Sequence, residues 1–149
     1  MDPPSISASI IAVGTRATQC AKAFAALRAA CKNLPGRLHA INNEVADISA
    51  VLADVAALMS ERGRLSALED ECARIAHVMA GLNVKLAELE SIVDALAVSC
   101  ARSKILLVQA RAWSKVQSKL FSLQDEIKTA KMRLVVLLGA SNWYALRVT

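Results

Sequence analysis

The sequence has few of the residues that form turns and few aromatic side chains. Of its 149 residues only three are proline, five are glycine and 3% are aromatic, whereas 55% are hydrophobic. Such a composition excludes a disordered chain. It also argues against a β-sandwich or barrel, which needs a turn every ~8–12 residues. The length and composition therefore predict one domain built from a few long helices.

The residue patterns of enzymes and metal sites are also missing. There is no glycine-rich phosphate loop, nucleophile elbow or zinc-protease motif, and neither His39 nor His77 follows a glutamate at the spacing of a di-metal bundle site. The cysteines form no C-x-x-C pair, so we interpret them as core residues in a reducing compartment rather than as disulfide partners or metal ligands: Cys20, Cys31, Cys72 and Cys100. We expect no enzymatic activity, no metal and no cofactor.

The sequence shows neither a secretory signal nor a membrane span. An acid and two prolines, Asp2, Pro3 and Pro4, stand where a signal peptide has basic residues. No uncharged run reaches the ~20 residues of a spanning helix. These features predict a cytoplasmic protein, and recruitment to the plasma membrane is one functional interpretation developed below.

Apolar residues recur at alternating spacings of three and four, which predicts four long amphipathic helices. Helix 1 is predicted to start at Pro3 with Asp2 as its N-cap. The segment Asn33–Gly36 is predicted to end helix 1 and form a turn, after which helix 2 runs from Leu38 to Gly63.

The second half of the chain continues the same pattern. Ser66 and Glu69 form a capping-box pattern for helix 3, whose apolar positions continue across Gly81 without a phase slip. Helix 4 is predicted from Ile105 to Gly139. We expect residues 1–140 to form an all-α bundle of four long antiparallel helices, with helices joined by short connections packed as neighbours, and residues 141–149 to form a tail or the start of a linker.

The net charge of +5 is unevenly distributed. Basic residues predominate before Asn43 and after Ala101, and most acids lie between Glu44 and Asp94. This polarity predicts complementary helix pairs and, secondarily, attraction to anionic partners.

The N-terminal stretch from Pro3 to Thr15 carries no charge, and the back of helix 1 beyond it is rich in alanine. A helix that is apolar nearly all round is expected to be buried. The stretch is therefore either the innermost helix of the bundle, or a segment that inserts into a membrane or packs against a second copy. In the latter cases its active residues would be Ile6, Ile10, Ile11 and Val13.

Four cations of helix 4 share one helix face beside Trp113: Lys104, Arg111, Lys115 and Lys119. This basic stripe suits anionic lipid headgroups, with Trp113 as an interfacial anchor. The simpler interpretation is a solvated helix face next to a core tryptophan. Nucleic acid is not expected as a partner, because stacking aromatics are too few.

Two stretches carry a family resemblance. The first is the opening MDPPSISASIIAV, and the second is a set of residues near the end: Trp113, Lys115, Leu120, Leu123, Glu126, Lys131, Leu134, Leu137, Leu138, Gly139 and Asn142. Together they resemble the fungal HeLo-like N-terminal domains of NOD-like receptors and heterokaryon-incompatibility proteins. The resemblance implies a helical domain that signals in programmed cell death, with a membrane-targeting first helix and a nucleotide-binding module downstream in the full-length protein.

The sequence thus predicts a non-enzymatic effector or signalling domain of fungal innate immunity that self-associates and engages membranes. The chain would be an excised domain or a short stand-alone member of the family. Two alternatives remain: a homo-oligomerisation or adaptor module without membrane activity, and a carrier of an apolar ligand between the helices.

Overall fold

A computed structural model describes residues 3–31, 36–62 and 69–148 of the chain. These residues form four helices and no strand, which confirms the all-α bundle. The helices are α1 (Pro3–Ala30), α2 (Gly36–Arg62), α3 (Glu69–Arg102) and α4 (Leu106–Val148). The proposed N-cap Asp2, the helix end at Gly63 and the capping residue Ser66 lie outside the described residues.

The apolar positions predicted from spacing form the core. On α1 the buried residues include Val13, Cys20, Phe24 and Leu27, and each helix contributes a comparable row. Ile6 forms a small second cluster with two residues of α3, Cys72 and Ala76. Alternating spacings of three and four place such residues on one side of a helix, so each helix turns one apolar face inward.

The helix α3 passes through Gly81 without interruption, as the sequence predicts. Gly81 is exposed and a Cβ there would have open space around it. The glycine therefore costs only the usual ~1 kcal/mol of helix propensity, which is too little to break a helix whose inner face is packed on both sides.

Both predicted ends of helix 4 are wrong. The helix starts at Leu106, after Ile105, and it continues through Gly139 to Val148. Ile105 is 63% exposed and does not join the core. Gly139 also has open space around it, so a helical glycine again costs only ~1 kcal/mol. The division into a domain of residues 1–140 and a tail of residues 141–149 stays a prediction, although residues 141–148 are helical.

Around the bundle the helices follow the order α1, α2, α4, α3. Among the described residues, α1 packs on α2 and α3, α4 packs on α2 and α3, and α2 does not contact α3. The expectation that all consecutive helices are neighbours is therefore wrong for α2 and α3, which lie on a diagonal. Hydrophobic periodicity marks a buried face but does not specify which helix will cover it.

The direction of the helices follows from their contacts. Ile6 lies against Cys72 and Ala76, and the thiol of Cys31 after the end of α1 forms a hydrogen bond with the thiol of Cys100 near the end of α3, so α1 and α3 run parallel. Each helix is antiparallel to the next one in the chain, because short connections link α1 to α2 and α3 to α4. Both of these connections consequently lie at one end of the bundle, which we call the turn end.

Ion pairs join the helices as the charge distribution predicts. Arg16 of α1 contacts Glu90 of α3 at 3.0 Å, and Lys119 of α4 contacts Glu88 of α3 at 3.4 Å. Lys131 of α4 pairs with Glu44 and Asp47 of α2, and both Lys131 and Glu44 are largely buried. Basic residues of the outer helices in the sequence thus meet carboxylates of its acidic middle.

The expectation that α1 is buried on all sides is wrong. Its outward face is open to solvent: Ala8, Ile11, Ala12, Ala25 and Ala26 are exposed. The helix lies at a corner of the bundle with two neighbours, not at the centre. Alanine loses little by exposure, so an alanine-rich face is compatible with a position at the surface.

Candidate functional site

The titratable side chains that the structure describes are spread over the bundle. Among the described residues, no group of three or more His, Cys, Asp or Glu side chains is placed to hold a metal ion. His39 on α2 and His77 on α3 are both exposed, and they lie on helices that do not touch each other.

The cysteines are free and buried, which confirms their interpretation as core residues. Burial, reinforced by the negative charge of Glu90, raises the pKa of Cys20 to about 12, and its Sγ donates to the Leu86 carbonyl oxygen at 3.1 Å. Burial and a hydrogen bond with Cys100 raise the pKa of Cys31 to about 12 as well. Since the thiolate is the reactive form, Cys20 and Cys31 are poor nucleophiles.

The residues proposed as the membrane or oligomer segment of α1 do not form one surface. Ile6 and Val13 are buried, Ile10 is half-buried against the core, and Ile11 alone is open, at 69% exposure. The whole segment becomes accessible only if α1 leaves α3, with which it forms the most extensive interface of the bundle.

The structure brings together part of the basic stripe. Arg111 and Lys115 are exposed, one helical turn apart, beside a groove of about 310 Å³ floored by Leu96, Val108 and Val116. Lys104 is exposed nearby but precedes α4, so the helical spacing does not place it. Lys119 differs from these three, because Glu88 neutralises it.

Trp113 is a partly buried residue rather than a free anchor. It packs against the core, and its ring meets Phe121 edge to face with centroids 6.1 Å apart. Both rings belong to α4, so this contact stabilises the helix itself. Since Trp113 also packs against the core, the simpler sequence interpretation describes it in this structure.

Sequence reasoning missed an exposed apolar surface at the turn end. Leu106 and Leu107 are 67% and 69% exposed, and they adjoin further exposed apolar residues. We call this set of consecutive exposed residues the α3–α4 tip: Ile105, Leu106, Leu107 and Val108. A signal was present, because four apolar residues in succession cannot all lie on the inward face of one helix.

The tip is held in place by hydrogen bonds around Gln109. The Gln109 side-chain amide donates to the carbonyl oxygens of Cys100 and Ser103, at 3.3 and 3.1 Å. The first turn of the helix closes on the Ile105 carbonyl, which accepts from the backbone N–H groups of Val108 and Gln109 at 3.1 Å each. The backbone of the tip is thus fixed while its side chains point outward.

A second apolar surface lies toward the other end of α4. Met132, Val135 and Val136 are exposed, and a groove of about 640 Å³ runs between α3 and α4 at this level. The groove has apolar walls that include Val78 and Leu137, and Arg74, His77 and Arg133 stand at its edge.

The proposed membrane segment of α1 and the α3–α4 tip are far apart. Cys31 lies next to Cys100 at the turn end, whereas Ile11 is ~30 Å back along α1 at 1.5 Å per residue. A flat membrane that meets the turn end with the bundle axis upright therefore does not also reach Ile11 while the bundle is intact.

Within the described residues, no helix is long and apolar enough to cross a membrane. Comparison with known proteins gives no match, neither to a protein-family model nor to a curated protein nor to a solved structure. The HeLo-like resemblance therefore stays a prediction from the quoted residues.

Proposed function

We propose that this protein is a non-enzymatic helical effector or signalling domain that engages anionic membranes and self-associates. The role in fungal programmed cell death, and a nucleotide-binding module downstream, are part of this proposal. They are supported by the resemblance of the opening thirteen-letter motif and of the last helix to HeLo-like domains.

The membrane part of the proposal is carried by the charge of the turn end. Residues 3–43 and 95–124 contain no Asp or Glu. The elements that meet at this end also expose several cations: Arg28, Arg102, Lys104, Arg111 and Lys115. None of these cations forms an ion pair with another described residue. Each basic residue near an anionic bilayer contributes about 1 kcal/mol of attraction.

Flotation of the protein with vesicles tests this proposal. We expect the protein to float with vesicles of phosphatidylcholine mixed with phosphatidylserine, and to stay at the bottom with vesicles of phosphatidylcholine alone. Binding should weaken as salt is added, because screening shortens the reach of the cations. Equal flotation with both kinds of vesicle, or no flotation with either, would refute the membrane part of the proposal.

A matched pair of charge variants locates the attraction. Arg111→Gln with Lys115→Gln removes two unpaired cations of the turn end, and we expect reduced flotation. Lys119→Gln with Lys85→Gln removes the same charge from residues that are already paired, with Glu88 and Glu126. The variant with Lys119→Gln and Lys85→Gln should float more like the wild type. A larger loss of flotation in this variant than in the variant with Arg111→Gln and Lys115→Gln would contradict the proposal.

Self-association without membrane activity is the second candidate. Its favouring observation is the exposed apolar group Met132, Val135 and Val136 beside the groove between α3 and α4. Light scattering without lipid tests it, and Val136→Asp should shift a wild-type oligomer toward the monomer. The same groove is the place for an apolar ligand, the third candidate. Mass spectrometry of the native protein would detect that ligand as a fixed added mass.

A further inference from the structure

Resting on the proposed function, we propose that the α3–α4 tip is the part of the molecule that enters the membrane. The partner is the interfacial region of an anionic phospholipid bilayer. In this arrangement the bundle stands on its turn end and α1 stays packed in the bundle, so the inserted apolar residues are those of the tip and not those of α1.

The first argument is the concentration of exposed apolar side chains at one point. Ile105, Leu106 and Leu107 are each more than 60% exposed, and Val108, the next residue in the chain, is 43% exposed. Scattered exposed hydrophobic residues are ordinary, whereas a contiguous group marks an interaction surface. The position of the group at a helix–helix turn makes it protrude, which suits penetration of a soft interface.

The second argument is that the tip is preorganised. Ser103, Gln109 and the backbone around Ile105 satisfy one another's hydrogen bonds. The N–H groups of Ile105, Val108 and Gln109 therefore enter the interface already paired, and an unpaired backbone group would be costly there. Insertion then requires no rearrangement of the bundle.

The third argument is charge, which decides between candidate partners. Arg102 and Lys104 stand directly before the apolar residues and Arg111 stands one turn after them, all exposed. Cations around an apolar tip match the profile of an anionic interface, with headgroups outside and acyl chains beneath. A second copy of the tip would instead repel the first, since this end carries no carboxylate between residues 95 and 124.

A pair of charge-neutral double variants tests the tip against an equally apolar surface elsewhere. The tip variant is Leu106→Gln with Leu107→Gln, and the control is Ile11→Gln with Val84→Gln. The tip residues are 67% and 69% exposed and the control residues 69% and 56%, so both variants should stay folded, which circular dichroism checks. On phosphatidylcholine–phosphatidylserine vesicles we expect the partition coefficient of the tip variant to fall about tenfold or more, with little change in the control.

A fluorescent reporter gives a second readout that does not depend on affinity. The four native cysteines are buried, so Ile105→Cys provides a single reactive thiol for an environment-sensitive dye, and Ile11→Cys provides the matched control. We expect emission from position 105 to shift to the blue when vesicles are added, with no shift from position 11.

The outcomes separate this inference from the proposed function. If the wild type binds no vesicle, the proposed function fails and the tip has no role. If the wild type binds, but the control variant loses binding or position 11 shifts while position 105 does not, the membrane function stands and α1 is the inserting element. That result would overturn the proposal for the tip.

Discussion

Replacing one core leucine and one tip leucine by alanine tests both the packing of the core and the exposure of the tip. Leu89 of α3 stands between Glu88 and Glu90 and is fully buried, whereas Leu107 of α4 stands in the apolar run of residues 105–108 and is 69% exposed. Leu89→Ala removes carbon atoms worth ~0.8 kcal/mol each on transfer from water, about 2–3 kcal/mol in all. The cavity left in a close-packed core adds about 1 kcal/mol, which gives a loss of about 3–4 kcal/mol in the free energy of unfolding.

The expected change in melting temperature follows from the size of the chain. An unfolding entropy of ~2.1 cal/mol/K per residue gives about 0.3 kcal/mol/K for a chain of this length. Leu89→Ala should therefore lower the Tm by about 10 °C. Leu107→Ala should change the free energy by no more than about 0.5 kcal/mol, because its side chain leaves no cavity.

Thermal and urea unfolding followed by circular dichroism at the helix band measures both variants. The reasoning is refuted if Leu107→Ala is as destabilising as Leu89→Ala, since the start of α4 would then face the core. It is also refuted if Leu89→Ala costs less than about 1 kcal/mol, a value too small for a leucine packed on all sides.

The remaining predictions concern buried thiols, a buried ion pair and a helical glycine. An aromatic disulfide reagent at pH 8 should find no reactive thiol in the native protein and four in the denatured protein, because all four cysteines are buried; rapid native labelling would contradict this. Lys131→Met should cost about 1–3 kcal/mol in denaturant unfolding, because it leaves the largely buried Glu44 carboxylate with no cation. Burial lowers the Lys131 pKa, but the hydrogen bonds and charges of Glu44 and Asp47 outweigh it and raise the pKa above its ordinary 10.5. The stability that Lys131 contributes is thus complete below pH 10.5 and is lost as the pH rises through the folded-state value. The difference between wild type and Lys131→Met should be constant from neutral pH to about pH 10 and shrink above it, and a difference that grows there would exclude this pair as its source. Gly81→Ala should raise the free energy of unfolding by about 0.5–1 kcal/mol, since the added methyl meets open space in a helix; a loss of stability would show that α3 needs the glycine.

The sequence predicts the number of helices, their inward faces and the burial of the cysteines in the core. These follow from local rules, since a repeat of three and four residues puts apolar side chains on one face wherever that face lies. Phe24, Leu82 and Leu89 are buried as their spacing predicts. The separation of basic and acidic segments likewise predicts ion pairs such as that between Arg16 and Glu90.

The candidate site was only partly accessible from the sequence. Arg111 and Lys115 share a face by helical spacing and do lie together. Spacing cannot show that Lys119 is neutralised by Glu88, because that pair joins helices far apart in the chain. The run from Ile105 to Val108 indicates that some of these apolar residues lie outside the core, but spacing does not show that all four are exposed.

By itself, the sequence determines which side of each helix is apolar and favours burial, because that depends on the order of residues along one helix. Only the tertiary structure decides which helix becomes the partner, since all apolar faces are chemically alike and several arrangements bury them. In this structure α1 packs on α2 and α3, and Ile11 lies outside both interfaces. The parallel packing of α1 and α3 also brings Arg28, near the end of α1, to the end of the molecule that carries the α3–α4 turn.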